Sequence, residues 1–238
     1  MTPRTDAAAI LPPTDRAHVP RTTPAPPAAR IVVVHGLGAT AGSHWFGALR
    51  DRYAPHGIEV VVPDLPDSQA PDLGTWLSRL AEVVGTIDER TVLVGHSLGC
   101  VSILQHLAAR DDDWRLGGLA LVAGFVEPVP GIPEVDHFVA HDTDPAGIAA
   151  RTARRLVLTA DDDPVVPRRL TEDLARALDA DLNVVDGAGH FLARGGFDRL
   201  EALESVLDTW VGSGSAPRLP TVSRPSSSHP RAGRARPR

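Results

Sequence analysis

Six short apolar runs punctuate the middle of the chain: 31–34, 58–62, 92–94, 119–122, 156–158 and 182–185. They are nearly continuous rather than alternating, the pattern of strands covered on both faces. Between them, apolar residues recur at helical spacing. Trp45, Leu49 and Tyr53 make one stripe, and Trp76, Leu80, Val83, Val84 and Ile87 another. Val101, Leu104 and Ala108 follow, then Leu170, Leu174 and Leu178, then Leu200, Leu203, Leu207 and Trp210. Strand alternating with helix predicts right-handed crossovers and an α/β three-layer sandwich, a mainly parallel sheet of about six strands with helices on both faces. No repeat of 20–50 residues interrupts the pattern, which excludes a solenoid. Ligands bind such sheets beyond the carboxyl ends of the strands. Polar, Gly or Pro clusters follow several of the runs there: His35-Gly36, Pro63-Asp64, Gly95-His96-Ser97 and 160–164.

The periodicity stops at both ends. Residues 1–28, rich in Pro, Ala and Thr, and residues 213–238, rich in Ser, Pro, Gly and Arg, read as disordered tails around a domain at 29–212. The formal net charge of −6 hides an uneven distribution. The C-terminal tail carries six Arg and no acid, and the N-terminal tail three Arg against two Asp, which leaves −13 on the domain. So acidic a domain is the opposite of a nucleic-acid binder. The basic C-terminal tail is a candidate contact for an anionic partner, although a solvated end explains it as well.

All 24 Lys and Arg residues are Arg, which excludes a Schiff-base lysine or a Ser-Lys dyad. A lone Cys100 excludes an intrachain disulfide. With no signal-peptide core at the N-terminus and no apolar run near the ~20 residues of a membrane span, a soluble cytoplasmic protein is expected, away from membranes.

The most informative stretch is 92–101, Val-Leu-Val-Gly-His-Ser-Leu-Gly-Cys-Val. A strand, then Gly-x-Ser-x-Gly, then a helix-compatible run from Leu98 is the order of a nucleophile elbow. Gly95 and Gly99 flank the serine where a side chain would strike a neighbouring strand or helix. A serine nucleophile needs a base, and the base needs a group that fixes its tautomer. Downstream lie Asp161-Asp162-Asp163-Pro164 after the fifth run and Gly189-His190-Phe191 after the sixth. Ser, Asp, His is the chain order of the α/β-hydrolase triad.

On these residues the chain resembles the α/β-hydrolase superfamily, and within it the small cap-less serine hydrolases of the YdeN and retinoblastoma-binding-protein-9 type. His35-Gly36 with Ser43-His44-Trp45, Pro71 to Leu77, Gly-His-Ser-Leu-Gly-Cys at 95–100, and Asp-Asp-Pro with Gly-His-Phe carry the resemblance over most of 31–191. It implies Ser97 as nucleophile, His190 as base and Asp163 as acid, with Asp161 and Asp162 as competitors for the last role. It places the oxyanion hole at the backbone N–H groups of Leu98 and Leu37. Gly36, Leu37 and Trp45 are expected to wall the substrate pocket. His35 is expected to shape the loop, and His96 to act as a packed spacer.

The stretch 123–155 is too short for a large cap and carries Pro128, Pro130, Pro133 and Pro145, so a loop with one short helix is expected there. His137 and His141 lie in it among Asp136, Asp142 and Asp144, and read as solvated residues rather than metal ligands. The expected function is metal-free and cofactor-free hydrolysis of small ester or thioester substrates through an acyl-enzyme. Acyl transfer on the same residues, or a non-catalytic binding module, stand as alternatives.

Overall fold

The computed structural model describes residues 25–212. Six parallel strands form one sheet: β1 (Arg30–Val34), β2 (Glu59–Val61), β3 (Thr91–His96), β4 (Gly118–Val122), β5 (Arg155–Ala160) and β6 (Asp181–Val185). Their order is β2-β1-β3-β4-β5-β6. The chain therefore runs outward from β1 to one edge, crosses back to β3, and continues to the other edge. This reversal opens a crevice between the carboxyl ends of β1 and β3, where such sheets bind ligands.

The strands feed two separate cores. Ile31, Val33, Val92 and Val94 point to one face, where α1 (Phe46–Tyr53) and α7 (Glu201–Trp210) cover them with Phe46, Leu49, Tyr53, Leu203 and Leu207. Val32, Val34 and Leu93 point to the other, beneath α2 (Leu73–Val84), α3 (Leu98–Ala108) and α6 (Arg168–Ala177). Period-two side-chain direction explains why the central strands β1, β3, β4 and β5 are apolar at nearly every position, since both of their faces are inside. The edge strands β2 and β6 depart from that expectation, with Leu182 on β6 42% exposed. α3 is buried along almost its whole length, so even its polar Ser102 and Gln105 spend their hydrogen bonds inside, on Leu98 O and on the carbonyls of Phe138 and His141.

Between β4 and β5 there is no large cap, but the stretch holds two short helices rather than the expected one: α4 (Asp136–Val139), preceded by a 3₁₀ turn at Pro133–Val135, and α5 (Pro145–Ala150). The prolines mislead here. Pro133 and Pro145 occupy first-turn positions, where no backbone N–H is needed and a fixed φ favours the start of a helix. Asp144 caps α5 by accepting from Gly147 N–H.

The expected tails lie almost entirely outside the described residues, and so does the proposed contact of the C-terminal one. Where the first tail is described, it already packs. Ala28 is buried and donates its N–H to Trp210 O, and Arg154 donates to Pro26 O, so the packed chain begins a few residues before 29. Among the described residues, no helix is long and apolar enough to cross a membrane.

Backbone packs closely against backbone where α3 leaves β3. A Cβ on Gly99 would sit 2.1 Å from Val34 O and 2.6 Å from His35 O, both backbone atoms. Gly47, in α1, has nothing within 4 Å of its added Cβ. Gly99→Ala is therefore expected to destabilise the fold by about 3 kcal/mol or more, and Gly47→Ala to stabilise it by about 0.5–1 kcal/mol. Urea unfolding of both variants checks this, and a Gly99→Ala protein as stable as wild type contradicts the packing described.

Candidate active site

Ser97 stands at the junction of β3 and α3 with φ 53° and ψ −123°, a left-handed backbone rarely taken by a residue with a side chain. The turn is fastened on both sides. Ser97 N–H donates to Val122 O at 2.9 Å, and Ser97 O accepts from Cys100 N–H at 2.9 Å. A Cβ on Gly95 would lie 2.8 Å from Cys100 Cα, so the flanking glycines are required by contact rather than by turn type alone. The result exposes the Ser97 side chain at the floor of a cleft of about 370 Å³. The N-terminal N–H of α3, on Leu98, has no intrahelical partner and carries the positive end of the helix dipole.

His190 reaches the same cleft from the loop after β6. Its Nδ1–H donates to Asp163 Oδ2 at 2.8 Å, which in the neutral ring leaves Nε2 with its lone pair free. The Asp163 side chain is 1% exposed. Its other oxygen, Oδ1, accepts from Val165 N–H at 2.8 Å and Val166 N–H at 3.0 Å, which fixes the carboxylate before the ring is added. The two neighbouring aspartates are occupied otherwise. Asp161 Oδ1 accepts from Gly187 N–H and Asp162 Oδ1 from Gly189 N–H, at 2.8 and 2.7 Å. Three consecutive carboxylates thus hold the 187–190 loop, two by its backbone and one by the imidazole.

The loop after β1 forms the opposite wall. Gly36, Leu37 and Gly38 line the cleft, and an added Cβ on Gly36 would stand 3.0 Å from Ser97 Cβ and 3.4 Å from Leu98 N. His35 braces this loop. Its Nε2 accepts from Leu65 N–H, so the ring proton sits on Nδ1 and is donated to Gly36 O at 3.0 Å. Beyond Ser97 the cleft is apolar, walled by Phe125, Val129, Ile132, Val135, Val165 and Val166.

Trp45 is not on this wall. It is fully buried in the core under α1, with its ring edge-on to Phe46 and His96, and the side chain that lines the cleft is that of its neighbour His44. The Ser-His-Trp stretch was legible as a feature, but nothing in a sequence says which of two adjacent bulky rings turns outward. His44 takes the outward place with a left-handed φ of 53°. Its Nδ1 accepts from Ala193 N–H at 3.2 Å, tying the β1 loop to the segment that follows His190.

His96 is more than a spacer. Its Nε2–H donates to His190 O at 3.0 Å, and its ring packs against those of His44, Trp45, Phe46 and His190. Burial holds its pKa well below the usual histidine value, with further lowering from His190. Burial likewise lowers His35 and His44. A neutral His96 thus underpins the backbone of His190 while Asp163 holds its ring. Cys100 is buried behind the serine, and burial pushes its thiol pKa up, which disfavours the thiolate.

A parallel sheet carrying a strained serine at one strand end and a histidine–carboxylate pair at two others defines the class of α/β-hydrolases. The chain belongs to the serine hydrolase family, whose profile matches residues 31–209. Among its relatives, the hydrolase YdeN of Bacillus subtilis (strain 168) is 34% identical over 181 residues, covering 76% of this chain and 95% of YdeN. The serine hydrolase RBBP9 of Rattus norvegicus is 23% identical over 184 residues, covering 76% of this chain and 96% of its own. The crystal structure of the B. subtilis ydeN gene product superposes with a TM-score of 0.75 over 78% of this chain and all of that one.

The buried histidines make a prediction about stability. His106, on α3 outside the cleft, is pushed down to about 4 by burial and then by Arg110, and its Nε2 has no hydrogen-bond partner among the described residues. In the unfolded chain it takes a proton near pH 6.5, whereas the native state resists it. Stability from this group is therefore present above about pH 6.5 and is lost as pH falls below it, by up to about 1.4 kcal/mol per pH unit. Urea unfolding between pH 7.5 and 5 should show His106→Leu losing less stability than wild type. Parallel profiles for the two proteins would contradict the assignment.

Proposed function

We propose that this chain is a carboxylesterase-type hydrolase that cleaves small ester or thioester substrates with Ser97, His190 and Asp163. The hydrogen bond from His190 Nδ1–H to the buried Asp163 carboxylate carries the reading. It sets the one tautomer in which Nε2 can receive the serine proton, in a cleft that both Ser97 and His190 line. His190 Nε2 takes the Ser97 proton as the oxygen attacks the carbonyl, and Asp163 stabilises the imidazolium. The negative oxygen that develops is held by the N–H groups of Leu98, at the positive end of α3, and Leu37, on the facing loop. His190 then gives its proton to the leaving group, and the acyl group stays on Ser97. Water enters, is deprotonated by the same nitrogen, and releases the acid. No step calls on a metal or a cofactor. The modest cleft volume and its apolar far wall suit short acyl groups.

Neighbouring substitutions should therefore have very different consequences. With 4-nitrophenyl acetate, Ser97→Ala should lower kcat by at least about 10⁴-fold. Asp163→Asn should cost about 10⁴-fold through the wrong histidine tautomer. Asp162→Asn retains an oxygen to accept from Gly189 N–H and should cost far less. Steady-state kinetics on the purified proteins make the check; equal losses in Asp162→Asn and Asp163→Asn would remove Asp163 from the role given to it.

A further inference from the structure

The lining of the cleft has an uneven charge. The domain is strongly acidic, yet among the described residues no aspartate or glutamate lines the cleft, and Arg194 is the one arginine that does. Most arginines among the described residues are tied down. Arg52, Arg155, Arg168 and Arg199 form ion pairs, and Arg154 donates to three backbone carbonyls. Arg194 has neither an ion pair nor a hydrogen bond to its side chain among those residues and is exposed, on the 3₁₀ turn Ala193–Gly195 just after His190. A cation left unneutralised in the wall of a cleft, on a protein with a large excess of carboxylates, is what a site for an anionic group requires.

A second donor sits beside it. Ala193 N–H donates to His44 Nδ1, so the His44 ring proton is on Nε2. Nε2–H donates to no group among the described residues, and His44 lines the cleft. Because the bond that fixes the tautomer comes from the residue preceding Arg194, the imidazole and the guanidinium belong to one assembly. That assembly is built at the expense of a left-handed backbone at His44. Strain of that kind persists only where surrounding structure enforces it, and it gathers at functional positions.

We infer that Arg194 and His44 form a subsite for a carboxylate, so that the favoured substrates are esters bearing a free carboxylate on one side of the scissile bond. The inference rests on the ester-hydrolase reading of the same cleft and adds its substrate class. The guanidinium presents paired N–H donors in the plane that matches a carboxylate, and the imidazole N–H adds a neutral donor. The apolar wall across Ser97, from Phe125 to Val135 and at Val165 and Val166, takes the uncharged part.

The test compares matched ester pairs on the full chain. One pair is the mono-4-nitrophenyl ester of glutarate against that of its neutral amide, glutaramate; the other is the acetate of 3-hydroxybenzoate against that of 3-hydroxybenzamide. The first puts the charge on the acyl side and the second on the leaving group. In at least one pair, kcat/KM should favour the carboxylate by about tenfold or more. That ratio should collapse in Arg194→Gln, invert in Arg194→Glu, and shrink as ionic strength rises. Hydrolysis of both pairs with ratios near one, or a preference untouched by Arg194→Gln, overturns the carboxylate subsite and leaves the hydrolase reading standing. Failure to hydrolyse any of the four esters, with the protein folded, overturns the hydrolase reading and this inference with it.

Discussion

The close approach of α3 to the end of β1 governs the rest of this structure. Gly99 rests against the carbonyls of Val34 and His35 with no room for even one carbon. That contact brings the first turn of a buried helix over the carboxyl ends of the two central strands. It forces the chain to reverse within one residue, and Ser97 pays in backbone strain for the position it gains. The same contact brings Gly36, on the facing loop, close to Ser97 and Leu98, so one packing constraint sets both the serine and one wall of its cleft.

The second half of the site is assembled from the far strands by polar contacts. The Asp161–Asp163 run at the end of β5 meets the 187–190 loop at the end of β6, and each carboxylate takes a separate partner there. His96, from the elbow itself, crosses to the His190 carbonyl and links the two halves. Burial keeps that imidazole neutral, so the link does not place a second positive charge next to His190. The arrangement has the supported character that precise chemistry needs, with backbone and ring of the histidine held independently.

Most of the architecture was legible because the central strands of the sheet are buried on both faces. A strand covered on both sides must be apolar throughout, and a covering helix must carry a stripe, so runs such as 31–34 and the Trp45–Leu49–Tyr53 series announce themselves. Proline misled where it started helices instead of ending them, at Pro133 and Pro145. Around the serine, the glycines and the Ser, Asp, His order were readable, since contact distances and chain order both leave marks in sequence. The division of labour among three identical aspartates leaves none, because each carboxylate looks the same until its partner is known. The exchange of Trp45 for His44 on the cleft wall has the same origin. Two adjacent rings are distinguished only by a backbone turn that a left-handed φ at a non-glycine residue conceals. Arg194 leaves no mark in the sequence, because an arginine in a loop is distinguished only by the lack of an ion-pair partner among the described residues around it.

The claim on which the account turns is that the strained serine is an activated nucleophile. Intact-mass spectrometry of the full chain after exposure to a fluorophosphonate tests it directly, with Ser97→Ala treated alongside. The account predicts a single stoichiometric adduct on the wild-type protein and none on Ser97→Ala. An unlabelled wild-type protein that circular dichroism shows to be folded, or equal labelling of both, would contradict it.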